Sequence, residues 1–88
     1  MLYIVNFDIK DIDRKDLFTQ HLQQLGECVL YMPKCYFLKT RPTIDGEYIY
    51  GHLKHVLQDE DLFLITKVDK TQMNGWLSNS TIDWLTNL

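Results

Sequence analysis

The chain has 88 residues, 45% of them hydrophobic and 24% charged, with a formal net charge of −3. That length fits one domain and that balance excludes a disordered chain. The net negative charge excludes the basic field of a protein that coats nucleic acid, so any nucleic-acid role needs a local patch or a metal ion.

Leu2–Phe7 is expected to form the first strand, with Asp8 at its tip. Tyr3, Val5 and Phe7 share one face and Leu2, Ile4, Asn6 and Asp8 the other, because side chains alternate along a strand. Asp11 or Asp13 then opens a helix, where an acidic side chain meets free N–H groups and the positive end of the dipole. Leu17, Phe18, Leu22 and Leu25 recur at helical spacing, and Gly26 falls where a left-handed C-cap is expected.

Cys28–Met32 and Cys35–Thr40 are short apolar runs joined by Pro33-Lys34, the pattern of a hairpin. Pro42 ends the second run, since proline cannot donate to a sheet ladder. Thr43 or Asp45 caps a second helix with Ile49, Leu53, Val56 and Leu57 as its apolar stripe. Leu62–Val68 is expected as a fourth strand, the first and last strands being the two with the most buried faces. The order strand, helix, strand, strand, helix, strand predicts an α+β fold: the ferredoxin-like βαββαβ unit, an antiparallel sheet with two helices on one face. The whole chain, 1–88, is one such domain. Its core covers 1–68, and 69–88 forms a C-terminal extension. In that extension, Met73–Leu77 is expected as a short strand and Ser80 as the cap of a short helix bearing Ile82, Leu85 and Leu88.

Two helices cover one face of such a sheet. The other face should then be polar, yet Leu2, Ile4 and the runs Cys35–Leu38 and Leu62–Ile65 are apolar on both faces. An open patch of that kind exceeds what soluble monomers usually show. The candidate covers are the tail or a second copy of the chain, and the second is expected, giving a homodimer. Asp8 then lies beside the covered face. It either caps the turn into the first helix or meets its symmetry mate around a hard cation such as Mg2+.

The cysteines are spaced C-x6-C, which matches no common zinc or redox motif, so reduced thiols are expected. His52 and His55 share a helix face without a third ligand, and His21 lies near the stripe of the first helix. No run of about 18 apolar residues is present, so no membrane partner is expected. With no leader-like N-terminal pattern, a cytoplasmic location is expected.

The segment Tyr3–Asp8, the pair Leu25-Gly26, Tyr36-Phe37-Leu38 and the closing Gly75-Trp76-Leu77-Ser78 and Asp83-Trp84-Leu85 resemble the SinR-like proteins. These are small relatives of the CRISPR-associated Cas-two and VapD families. The resemblance implies a ferredoxin-like homodimer. It also implies that Asp8 corresponds to the aspartate proposed there as the metal ligand for phosphodiester cleavage of RNA or DNA. In the same family the fold also serves as a non-catalytic scaffold. The serine of the third-strand motif is not matched, and Lys34 occupies that neighbourhood. On this reading Asp8 is the catalytic and metal-binding residue, with Mg2+ the metal. Lys10, Arg14, Lys15, Lys34 and Arg41 are the candidate phosphate contacts, unless they pair with neighbouring acids as a solvated face.

Overall fold

A computed structural model describes residues 1–88. It is an α+β structure with a four-stranded antiparallel sheet and three helices, compatible with a small ferredoxin-like fold. The elements are β1 (Leu2–Asp8), α1 (Ile12–Gln23), β2 (Gly26–Met32), β3 (Cys35–Thr40), α2 (Gly46–Leu53), β4 (Leu62–Val68) and α3 (Asn79–Thr86). Strands run in the order β2-β3-β1-β4. No helix is long and apolar enough to cross a membrane.

β1 lies between β3 and β4 and is apolar on both faces, so each face needs its own cover. Tyr3, Val5 and Phe7 join Leu38 beneath Phe18 and Leu22 of α1 and Ile49 and Leu53 of α2. Phe7 lies with its ring centroid 5.4 Å from Phe18 and 5.5 Å from Tyr36. Burying each such side chain contributes about 1.5–3 kcal/mol, and this is the larger core. On the opposite face, Leu2 and Phe37 are buried beneath Leu85 of α3, with Trp84, Met73 and Leu77 half-buried around them. The tail therefore packs on its own sheet.

Local signals place the helices. Asp11 Oδ1 accepts from the Arg14 N–H at 2.9 Å and Asp45 Oδ1 from the Tyr48 N–H at 2.8 Å, so aspartates cap α1 and α2. α3 is capped by Ser78, not Ser80: its hydroxyl accepts from the Thr81 N–H, and the helix starts one residue before Ser80. On α3 it is Leu85 and Thr81 that are buried, whereas Ile82 is 45% exposed.

Other expectations are also corrected. Met73–Leu77 forms no strand; it crosses the sheet face as irregular chain. β4 is an edge strand with Leu62 and Leu64 exposed, so the two central strands are β1 and β3. Leu17 is exposed although it shares the apolar spacing of α1. Gly26 does not cap α1; it opens β2, and its φ is not positive. Glycine is required there by close approach, since a Cβ would lie 1.9 Å from the Lys39 carbonyl oxygen. The left-handed residue is Lys34, at φ 66° in the β2–β3 turn, a geometry that ordinarily favours glycine or asparagine.

Leu85 is the tail's buried anchor. Leu85→Ala is expected to cost about 2–3 kcal/mol and to expose Phe37. Urea unfolding checks this, and a loss below about 0.5 kcal/mol would show that the tail contributes little.

Candidate functional site

Asp8 closes β1 on the face opposite α1 and α2, with Leu62 as its partner on β4. Its position follows from strand alternation after Leu2, Ile4 and Asn6. The β2–β3 turn folds back against the same strand end, where the Phe7 N–H donates to the Lys34 carbonyl at 3.0 Å. That contact delivers the Lys34 side chain to Asp8, with Nζ 3.2 Å from Oδ1. Both groups keep solvent access, 34% for Asp8 and 62% for Lys34, so the pair is screened and exchangeable.

A row of side chains crosses the sheet beside this pair. The strand register aligns Met32, Cys35, Asn6 and Leu64. The tail covers the row formed by Val29, Phe37 and Ile4 but stops short of this one. Leu64 and Leu62 are 61% and 65% exposed and Met32 is 48% exposed, so half of the second face stays open. Asn6, Asp8, Leu62 and Leu64 line one shallow depression at its edge.

The candidate phosphate contacts are distributed unevenly. Lys15 and Lys34 line one groove between α1 and the β2–β3 turn, together with Asp16, Thr19 and Tyr36. Lys10 is exposed just beyond β1. Arg41 follows β3 at the Leu2 end of the sheet, about 20 Å from Asp8 along the strand direction, and cannot share its site.

Arg14 is engaged elsewhere. Its Nε donates to Asp61 Oδ2 at 2.9 Å and its Nη2 to Asp61 Oδ1 at 3.0 Å, a bidentate fork, while Nη2 also reaches Glu60 at 2.9 Å. Asp61 is fully enclosed and accepts a further bond from the Gln58 N–H at 2.9 Å. This latch ties the start of α1 to the loop before β4. The Arg14 hydrogen bonds, then the Gln58 N–H, hold the Asp61 carboxyl below its ordinary range. Sequence alone missed Asp61, because one acid beside the polar stretch Gln58-Asp59-Glu60 carries no periodic signal.

The remaining titratable groups are dispersed. His21 and His52 lie with ring centroids 5.4 Å apart across α1 and α2, and His52 Nε2 is 3.0 Å from Gln24 Oε1. No group of three His, Cys, Asp or Glu side chains is placed to hold a metal ion within the chain. Both cysteines are free. The register puts Cys28 on the helix-covered face and Cys35 on the open one, so they cannot bridge. Burial raises the Cys28 thiol pKa. Trp84 stacks on Phe37 with centroids 6.3 Å apart, whereas Trp76 is 99% exposed and packs on nothing.

No protein-family profile, curated protein or solved structure matches the chain.

The latch makes a pH-dependent prediction. Asp61 is held ionised in the folded state, so its contribution is complete above its unfolded value of about 4 and fades as pH falls through the lower folded value. Asp61→Asn is expected to lower Tm at pH 7 and to flatten the fall of Tm as pH drops below about 4. Thermal unfolding across that range checks both, and an unchanged acid slope would remove the latch from the account.

Proposed function

We propose that the chain acts as a homodimeric interaction module with a ferredoxin-like core and a C-terminal extension. Two copies join through the open half of the second sheet face. The observation that carries this reading is the uncovered row Met32, Cys35, Asn6 and Leu64, flanked by exposed Leu62. A mostly apolar row open across a sheet face favours association, and a two-fold contact buries it on both copies at once. The resemblance to the SinR-like and Cas-two families points to the same kind of assembly.

Phosphodiester cleavage of RNA or DNA is the second reading, favoured by one observation: Asp8 borders the open row. One chain does not by itself fit Mg2+. Asp8 is paired with Lys34, and the neighbouring acids Asp11 and Asp61 are turned to Arg14. A divalent cation would need a second Asp8 across the two-fold axis, with Lys34 displaced. The negative net charge and the engagement of Arg14 with Asp61 favour the module over the nuclease.

The two readings separate in one experiment. Wild type and Asp8→Ala are incubated with an RNA and DNA panel in Mg2+ or Mn2+, and the size of each protein is measured by gel filtration. The module reading expects intact nucleic acid in both and the same dimer in both. Metal-dependent cleavage that Asp8→Ala abolishes would replace it with the nuclease reading.

A further inference from the structure

The covered half of the second face is not closed tightly. Between the tail and the sheet lies a groove of about 780 Å3, separate from the Asp8 edge. Its volume falls within the range of small-ligand sites. We infer that this groove binds a medium-chain carboxylate, its chain along Ile4, Phe37, Met73, Leu77 and Leu85 and its head group at Lys70.

Three observations carry this. Most of the lining is apolar, and Phe37 in the floor is stiffened by Tyr31 stacked on it at 4.0 Å. A flexible chain without hydrogen-bonding groups therefore suits the groove better than a polar ligand. Lys70 is the one charged residue in the lining, and it joins no ion pair. Its Nζ donates to the Leu85 carbonyl at 3.1 Å, which orients the ammonium at the rim. One carbonyl uses one of its three N–H donors, and an ammonium over an apolar groove complements an anionic head. Finally, the outer wall can open. Residues 74–77 make no backbone hydrogen bond, so the segment is free to admit a chain several carbons long.

Polar lining groups add selectivity for a head over a bare hydrocarbon. Gln72 and Asn74 line the same groove, and each can donate to a carboxylate oxygen. Trp76, between lining residues Gly75 and Leu77, faces away from the groove and leaves it open.

The test is calorimetric titration of the full chain with decanoate, decanol and decyltrimethylammonium, each below its micelle concentration. One saturable site is expected, with decanoate bound about tenfold more tightly than decanol and the cation bound weakest. Lys70→Gln should erase the preference for decanoate over decanol, and Lys70→Arg should restore it. Decanol affinity unchanged in Lys70→Gln separates a head-group contact from loss of the Leu85 carbonyl bond, which would weaken both ligands. Ile82→Trp, at an exposed lining position, should weaken decanoate and decanol alike by narrowing the groove. The inference is overturned by absence of saturable decanoate binding. Equal affinity for the three ligands, an unchanged preference in Lys70→Gln, or unchanged binding in Ile82→Trp would overturn it as well.

Discussion

A strand that is apolar on both faces cannot rest with one face in water, and β1 imposes that condition on the whole molecule. Val5 and Phe7 demand one cover, and Leu2 and Ile4 demand another. α1 and α2 meet the first demand with Phe18, Leu22, Ile49 and Leu53. The tail meets the second only in part, because its anchor Leu85 reaches Phe37 and Leu2 but not the row at Asn6. In a domain this small, where the surplus of burial over chain entropy is slight, an apolar half-face left open favours association.

Two ion pairs of different character lie at one end of the sheet. At the Asp8 end, Arg14 and Asp61 form an enclosed fork that fixes the start of α1 against the loop before β4. Asp8 and Lys34 form an exposed pair. The enclosed pair is structural: removing Arg14 strands the Asp61 carboxylate, whose side chain has no solvent exposure. The exposed pair is exchangeable, and a partner molecule or a cation can replace either member at little cost. Asp8 and Lys34 therefore remain available to a partner at the border of the open row, while Arg14 belongs to the scaffold.

Much of this was legible in the residues. Alternation along Leu2–Asp8 identified a strand needing two covers, Asp11 and Asp45 announced helix starts, and Pro33-Lys34 marked the hairpin turn. What was not legible depended on contacts distant in the chain. Gly26 resembled a helix cap because glycine at that spacing usually is one; its actual reason is the Lys39 carbonyl, which only strand pairing brings near. Met73–Leu77 has the apolar content of a strand, but it runs over the sheet face beside Leu85 instead of along an edge. Asp61 gave no signal, since its partner lies 47 residues away. Asp8 was placed at the tip of the first strand by alternation, yet its pairing with Lys34 required the turn to fold back.

The central claim is that the open half-face around Leu64 is where a second copy docks. Sedimentation equilibrium of wild type and Leu64→Lys over the micromolar range tests it most directly. The account predicts a dimer for wild type and a folded monomer, with an unchanged circular dichroism spectrum, for Leu64→Lys. A monomeric wild type, or a dimer that Leu64→Lys leaves intact, would contradict it.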